Sequence, residues 1–469
     1  MNLLKKLKTP EAFELLCILQ LGFGTTFMWT GFDTHGFILE SVLHSVHERD
    51  PDRIDQYGGY LGQAVNYGCF TVANFFTPLL VRYLDPKWSV FIGSISFTLY
   101  QIGFMYINSY YFYASAALLG IGFAVFYAGH GCYLTEHSTK KNMPRNSSLA
   151  WGIACMSMSV GGFILLVTFL TTKDTEIDGQ YRRYSDTEIR AIFGAFAAFS
   201  FLSNIVLLLL SKKKPKNSVS TEIGWQADKR TFLYTLTLTF RSLRYPNVWL
   251  LASSWAYIGI FTGFMLGAYP TTLIFTARLS KSNILVPLYA LSVGFGEVST
   301  GILVTYLSKK FKDFGKIPSA TIGFTVNIIA YVLIFISTPR YSSLRQNDED
   351  PLLIMPNYGI PIFCGYLLGM GDCWWNTARS CSIPILLPEC RAEGFAVSKV
   401  FQSLASCGIY FLSTVIDLYG HFGILIGSAL LSLGTFIYAI KRDNYARKRK
   451  IMFRNAKVSP SEIVSTIKL

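Results

Sequence analysis

The sequence has few charged residues and lacks the short motifs of soluble enzymes. Asp, Glu, Lys and Arg make up 15% of the 469 residues, whereas about 25% is usual in soluble domains. There are no paired catalytic carboxylates, no nucleophile triad and no metal-ligand spacing, which argues against an enzyme. The phosphate loop of ATPases and the glycine fingerprint of dinucleotide-binding folds are also absent, so neither ATP-driven pumping nor a cofactor is predicted.

The nine cysteines do not follow the spacing of a disulfide framework or a zinc site. No CxxC pair occurs, and every cysteine except Cys390 lies within an apolar segment. Cysteines in such positions are usually small apolar side chains packed between helices, and we predict that role here.

Long apolar segments dominate what is present. Hydrophobic residues make up 51% of the chain, and an apolar stretch of 18 or more residues can cross a bilayer as a helix. We predict an all-α membrane protein with twelve transmembrane helices, at residues 12–36, 60–81, 88–107, 110–134, 148–170, 190–210, 247–275, 284–307, 317–337, 358–384, 394–416 and 421–440.

The basic residues indicate how these helices are oriented. About 30 of them fall in alternate gaps on one side and about 10 in the gaps on the other, and basic residues favour the cytoplasmic side. Both termini are therefore predicted to be cytoplasmic. The net charge of +14 is attributed to this bias and to attraction by anionic lipid headgroups, so the bilayer and not nucleic acid is the expected partner.

The longest cytoplasmic gap divides the chain into two sets of six predicted helices. We predict an N-terminal six-helix bundle at 1–211, a basic linker at 212–246, a C-terminal six-helix bundle at 247–441 and a basic tail at 442–469. Two six-helix bundles joined by a cytoplasmic loop are typical of the major facilitator superfamily, in which the bundles rock around a site at the bilayer midplane.

Several segments resemble one branch of that superfamily. They are FMWTGFDTHG in the first span, YLGQAVNYGCFTVANFFTPLL in the second, GIGFAVFYAGHGCYLT followed by RNSS in and after the fourth, GYLLGMGDCWWNT in the tenth and FAVSKVFQSL in the eleventh. In this order they resemble the Unc-ninety-three-like family of ion-channel-regulatory proteins. The resemblance implies a twelve-helix fold and a non-enzymatic role.

The same resemblance leaves the function open, because a fold does not determine a function. Some members of the family are accessory subunits of potassium channels, others escort receptors, and others are orphan carriers. This sequence also departs from its relatives at Asp33-Thr34-His35 and at Ala378-Arg379, and the segment VRYLDPKWS after the second span is a degenerate facilitator motif.

Polar residues in the tenth and eleventh spans are the first candidates for a site. Asp372, Trp375, Asn376 and Arg379 share one helical face. They could line a central cavity or clamp the bundle, and Asn376 lies between Asp372 and Arg379, which are about 10 Å apart along the helix. Lys399 and Gln402 have the same spacing in the eleventh span, but Lys399 could instead reach toward the headgroups.

Other spans contribute further candidates for a cavity or for proton coupling. Gln63 and Asn66 lie on a mixed polar stripe that should face the bundle interior. Tyr127 shares a face with His130, which can be read as a titratable group or as a packed hydrogen-bonding residue. Asp33 and Glu297 are carboxylates within predicted spans, where a proton could be carried. A full list of these candidates is Asp33, Gln63, Asn66, Tyr127, His130, Glu297, Asp372, Trp375, Asn376, Arg379, Lys399 and Gln402.

Two functions therefore remain open at the level of sequence. The family resemblance leads to a multi-pass regulator that binds a potassium channel or another membrane receptor. The polar residues favour, as the alternative, a secondary active transporter of a small solute that a proton gradient could drive. Nothing in the residues distinguishes the plasma membrane from an internal membrane.

Overall fold

The computed structural model is nearly all-helical and describes residues 10–139, 141–171, 176–178, 181–213, 218, 237, 240–311, 314–388 and 391–455. Most of the predicted linker 212–246, the end of the predicted tail from 456 onward, and the basic residues at 5, 6, 8 and 140 lie outside these ranges.

The first half of the chain contains eight α-helices and one short hairpin within the described ranges. The helices are α1 (Pro10–Gly36), α2 (Leu39–Arg49), α3 (Gly58–Asn74), α4 (Thr77–Ile102), α5 (Ser109–Glu136), α6 (Met143–Ala154), α7 (Ser157–Thr171) and α8 (Asp186–Leu208). Strands β1 (Glu176–Asp178) and β2 (Tyr181–Arg183) pair in antiparallel orientation between α7 and α8.

The second half begins with a helix that contains a π-helical segment. Its elements are α9 (Pro246–Gly263), the π segment (Phe264–Ala268), α10 (Tyr269–Phe275), α11 (Ala277–Ser280), α12 (Leu285–Lys310), α13 (Ile317–Ser337), α14 (Gly359–Leu386), α15 (Arg391–Leu412) and α16 (Leu418–Asn455). A π segment widens one turn of a helix and is frequent at functional sites.

Ten helical segments in the described ranges are long and apolar enough to cross a membrane. They correspond to ten of the twelve predicted spans. The remaining two predictions, 60–81 and 358–384, fall on α3 and α14. Helix α3 has only 17 residues, and α14 has Asp372, Asn376 and Arg379 in its middle, which lower its hydropathy.

Two of the predicted spans are interrupted in the structure. The second, 60–81, is interrupted at Phe75 and Phe76, where α3 ends and α4 starts at Thr77 with Pro78 in its first turn, a position that tolerates a missing N–H. Asp85 has a non-helical φ of 64° and divides α4 before Pro86, so this break lies in the predicted gap between the second and third spans. The fifth span is divided into α6 and α7 at Cys155 and Met156.

The two halves repeat one packing scheme. In the first half, α5 packs on α3 and α4, α8 packs on α1 and α4, and α1 also packs on α6 and α7. In the second half, α14 packs on α12 and α13, α16 packs on α9 and α13, and α9 also packs on α15. The halves meet where α3 contacts α15 and where α7 contacts α12.

Glycines permit close helix contacts at equivalent places in the two halves. A Cβ on Gly120 of α5 would lie 2.2 Å from the carbonyl oxygen of Asn66 in α3. A Cβ on Gly369 of α14 would lie 2.1 Å from the carbonyl oxygen of Val293 in α12. Small residues at such positions let membrane helices approach backbone to backbone.

Candidate functional site

A group of polar side chains from α14 and α15 lies beside the contact between the two halves. The Arg379 guanidinium donates from Nη1 to Gln402 Oε1 at 2.5 Å and from Nη2 to Asn376 Oδ1 at 2.6 Å. Asn376 Nδ2 donates to Asp372 Oδ2 at 2.8 Å. Asn376 thus bridges Asp372 and Arg379, as their positions two turns apart on one helix suggested.

Lys399 points into this group and not toward the headgroups. Its Nζ lies 3.3 Å from Gln402 Oε1 and 4.7 Å from the centroid of the Tyr127 ring, a distance typical of a cation–π contact. Because Tyr127 belongs to α5 and Lys399 to α15, this contact joins the two halves. The alternative in which Lys399 reaches the membrane surface is wrong for this conformation.

Three carboxylates from three helices lie within electrostatic range of one another. Asp33 of α1 accepts a hydrogen bond from Ser157 of α7 at 3.0 Å. Glu297 of α12 is 9% exposed, and its carboxylate has no hydrogen bond within the described residues. Both interact electrostatically with Asp372, so negative charge from both halves converges here.

Tyr127 and His130 have different surroundings although they share a helical face. The Tyr127 ring packs against Trp29 at 5.7 Å and Phe123 at 4.9 Å, in addition to its contact with Lys399. His130 is half-buried and lies 5.8 Å from the Phe126 ring of its own helix. We call Asp33, Glu297, Asp372, Arg379 and Lys399, with the side chains hydrogen-bonded to them, the charged group. Tyr127 contacts this group through Lys399, whereas His130 lies one turn away on α5.

Gln63 and Asn66 form a separate polar chain inside the first half. Asn66 Nδ2 donates to Gln63 Oε1 at 3.0 Å, and Gln63 Nε2 lies 3.2 Å from His35 Nε2. Since His35 Nδ1 donates to the carbonyl of Gly31, its Nε2 is the acceptor for the Gln63 amide. Nothing in the sequence pattern linked His35 to Gln63, because they lie on different helices.

Trp375 faces away from the charged group. It is 1% exposed, and its ring meets the Tyr257 ring of α9 at 5.0 Å in an edge-to-face arrangement. Its position lies about 60° around the helix from Asp372, at the edge of the polar arc, so it packs between neighbouring helices.

The two halves also touch through aromatic and hydroxyl groups. Tyr67 of α3 stacks on Tyr410 of α15 at 5.7 Å, and Thr71 Oγ1 donates to Ser403 Oγ at 2.8 Å. Near the predicted outer side, Phe37 meets Tyr289 at 5.5 Å. These contacts add apolar and hydroxyl contact between the two halves.

Residues at helix ends and in loops on the predicted outer side are joined by ion pairs. Asp186 accepts from Arg49 at 2.6 Å and from Arg53 at 3.1 Å. Asp417, before α16, accepts from the Gly420 amide and from Arg340. Partial burial raises the pKa of Asp417, but the Gly420 hydrogen bond and the Arg340 charge outweigh it, so the net pKa lies below the ordinary value.

A buried carboxylate at the start of α1 forms a second polar cluster that is separate from the charged group. Glu14 is 1% exposed. It accepts from the Thr139 amide at 3.0 Å, from Asn142 Nδ2 at 3.2 Å and from Asn146 Nδ2 at 2.6 Å. We call Glu14 with these three partners the Glu14 cluster. It fastens α1 to the connection between α5 and α6.

The charged group suits binding and proton transfer better than metal chemistry. In the described ranges, no set of three His, Cys, Asp or Glu side chains is placed to hold a metal ion. Carboxylates beside amides, an ammonium and a guanidinium can instead bind a polar solute and exchange protons. Ser157 is the residue of this group that the sequence did not indicate, because serine is common in packed membrane helices.

The fold is that of major facilitator transporters. The structure superposes on the peptide transporter POT in complex with sulfate with a TM-score of 0.62, at 11% identity over 91% of this chain and 94% of the transporter. A bacterial homologue of the human lysosomal transporter Spinster, in an inward-facing and unoccupied conformation, gives a TM-score of 0.57 at 12% identity over 91% of this chain and 98% of that one. The chain is therefore an integral multi-pass membrane protein of this fold class.

Its sequence places it more narrowly. The profile of the family described as "Ion channel regulatory protein UNC-93" matches residues 50–437, so the chain belongs to the UNC-93 family. The predicted membership of this family is confirmed, and four of the five sequence segments lie within the matched residues, whereas FMWTGFDTHG at 27–36 precedes them.

Named relatives cover nearly the whole chain. "UNC93-like protein MFSD11" of Xenopus laevis is 27% identical over 432 residues, which is 89% of this chain and 94% of the relative. "Protein unc-93 homolog A" of Danio rerio is 20% identical over 452 residues, 90% of each protein.

Proposed function

We propose that this protein is a secondary active transporter that carries a small polar solute and is driven by protons. In this proposal the chain crosses the membrane twelve times, through the ten apolar segments and through α3 and α14. The twelve helices form two bundles, at 1–211 and 247–441. The proposal also places both termini in the cytoplasm. The repeated packing scheme and the charge bias support this arrangement.

The observation that carries the proposal is the charged group at the contact between the halves. Asp33, Glu297, Asp372, Arg379 and Lys399 come from α1, α12, α14 and α15. A single charge at membrane depth costs about 3 kcal/mol on insertion scales. Hydrophobic packing alone would join two bundles without this cost, so a site for solute and protons is the reason we assign to these residues.

Glu297 is the residue we assign to proton coupling. Other titratable groups surround it: Asp33 of α1, Asp372 and Cys373 of α14, and Cys155 between α6 and α7. Because two neighbouring carboxylates disfavour a third negative charge, a proton on Glu297 would stabilise the contact between α7 and α12. Its release would favour separation of the halves on one side of the membrane.

Transport in proteoliposomes tests this assignment. The purified protein is reconstituted, a pH gradient is imposed, and proton entry is followed with an internal pH dye while members of a solute panel are added outside. We expect solute-dependent proton entry in the wild type and its loss in Glu297→Gln. The matched control is Glu349→Gln, an exposed carboxylate of a loop, which should transport normally. Wild-type protein that is folded but moves neither solute nor protons would contradict the proposal.

The family description favours a second candidate, a regulatory subunit of a membrane channel. In that case a channel partner would bind the lipid-facing surface, and the charged group would matter less. Co-expression with potassium channels, followed by current recording and co-purification, tests this candidate. Altered currents that survive Glu297→Gln, together with no solute flux, would favour regulation over transport.

Tags at the two termini test the topology. We expect both to be accessible only from the cytoplasmic side of sealed cells or vesicles. Tags on opposite faces would contradict an even number of crossings.

A further inference from the structure

We propose that Arg379 and Lys399 form the binding site for a small anion of the carboxylate or phosphate type, which rests on the carrier function proposed above and names its solute class. The site consists of Arg379, Lys399 and Gln402, with the ring of Tyr127 beside them.

Arg379 has unused hydrogen-bonding capacity in a buried position. A guanidinium has five N–H donors in a planar fork. Among the residues that the structure describes, Arg379 donates two side-chain hydrogen bonds, to the amide oxygens of Asn376 and Gln402, which carry no charge. The side chain is only 7% exposed, so water satisfies little of what remains.

Lys399 is in a similar position. Its ammonium and the Arg379 guanidinium share one neutral acceptor, Gln402 Oε1, at 3.3 and 2.5 Å. Within the part of the chain that the structure describes, no carboxylate lies at ion-pair distance from either cation, although Asp372 interacts with both from farther away. Two like charges converging on one oxygen repel each other unless an anion joins them.

The geometry of the two cations indicates which anion would fit. A guanidinium fork matches two oxygens of a carboxylate or phosphate, and an adjacent ammonium adds a third donor. The Tyr127 ring, which already contacts Lys399, would cover the apolar part of such a solute. An ammonium or quaternary amine would instead meet two positive charges.

The neighbouring carboxylates connect anion binding to protons. An anion at Arg379 and Lys399 adds negative charge next to Asp372, with Asp33 and Glu297 also in range. Repulsion is relieved when a proton accompanies the anion, so uptake of each anion is expected to bring in at least one proton.

Direct binding tests the site without relying on transport. The full-length protein in nanodiscs of phosphatidylcholine is heated with increasing succinate, inorganic phosphate, choline or glucose, and the unfolding midpoint is recorded. We expect succinate or phosphate to raise the midpoint in a saturable way, and choline and glucose to leave it unchanged. Nanodiscs with phosphatidylserine form another arm, in which competition with succinate would identify a lipid headgroup as the source of the anion.

Substitutions then locate the effect. Arg379→Gln and Lys399→Gln should raise the half-saturating concentration of the active anion at least tenfold. Gln402→Glu should also raise the half-saturating concentration, because the new carboxylate would pair with Arg379 and Lys399 in place of the anion. The same pairing should raise the unfolding midpoint in the absence of anion, which shows that this variant folds. Arg278→Gln, an exposed arginine paired with Asp350, is the control and should bind like the wild type.

The outcomes separate this inference from the proposed transport. Saturable anion binding that is lost in Gln402→Glu, with no flux, supports the site and contradicts the carrier. Flux of a neutral or cationic solute without any anion-dependent midpoint shift supports a carrier and overturns the anion site. Anion binding that is unchanged in Arg379→Gln, Lys399→Gln and Gln402→Glu also overturns it.

Discussion

Replacement of Glu14 by Ala should loosen the start of α1. Thr139, Asn142 and Asn146 all donate hydrogen bonds to the Glu14 carboxylate. The substitution removes this acceptor and leaves the three hydrogen bonds unmade in a buried cluster. Removing one partner of a buried charged network costs about 3 to 5 kcal/mol. We take about 3 kcal/mol, because Asn146 keeps its hydrogen bond to Ser138.

Cys17 reports this opening. It lies one turn after Glu14 and is 3% exposed, so a thiol reagent reaches it only when the end of α1 separates from its neighbours. Since each 1.4 kcal/mol is a factor of ten in an equilibrium, labelling of Cys17 should become about 100-fold faster in Glu14→Ala when opening is rapid. Mass spectrometry assigns the label to Cys17 among the nine cysteines.

Two further variants decide the interpretation. Glu11 lies on the same helix but is exposed, so Cys17 should be labelled at the wild-type rate in Glu11→Ala. Glu14→Gln keeps the shape but places an NH2 group among donors, and it should label at a rate between those of the wild type and Glu14→Ala. If Glu14→Ala labels no faster than Glu11→Ala, the Glu14 cluster does not hold α1 in place and the reasoning fails.

Three other predictions follow from contacts described above. Gly120→Ala should destabilise the protein by about 1 to 3 kcal/mol, because the added Cβ would collide with the Asn66 carbonyl. Gly131→Ala on the same helix should be neutral or stabilising, because no atom lies within 4 Å of the added Cβ. Thermal unfolding in detergent compares the two variants, and equal midpoints would contradict this. Asp417 has a lowered pKa, so its contribution to stability should be complete above its ordinary pKa of about 3.9 and be lost as the pH falls through the lower folded value. A pH series of unfolding midpoints should lack this component in Asp417→Asn, and an unchanged acid profile would refute it. Asp186→Asn should lower the free energy of unfolding by less than about 1 kcal/mol although it removes two ion pairs, because the Asp186 side chain is 38% exposed and ion pairs open to solvent contribute little. A larger loss would contradict this.

Much of the fold could be predicted from the sequence because the bilayer imposes one simple rule on length and polarity. Ten of the predicted spans coincide with apolar helices, and the family resemblance is confirmed. The interruptions that were not predicted lie at Phe75 and at Cys155, where backbone geometry and not hydropathy decides. Helix α2 falls in the gap between the first two predicted spans, 12–36 and 60–81, because its polar residues resemble those of a solvated segment.

The site could be predicted within one helix but not between helices. The spacing of Asp372, Asn376 and Arg379 was sufficient to place them on one face, and the bridging by Asn376 follows from it. Contacts between helices, such as Lys399 with Tyr127 or Asp33 with Ser157, depend on how the helices pack. No periodicity in a single sequence contains that information.

The length of α16 has a mechanical consequence. Its 38 residues span about 57 Å, against a hydrocarbon thickness of about 30 Å, and Arg447 attaches the projecting part to the carbonyl of Ile385 at the end of α14. A tilt of about 10° in the helices of the second half would swing the far end by roughly 5 Å, given this 1.5 Å rise per residue. A small tilt among the apolar helices would therefore become a displacement of several ångströms at the far end of α16.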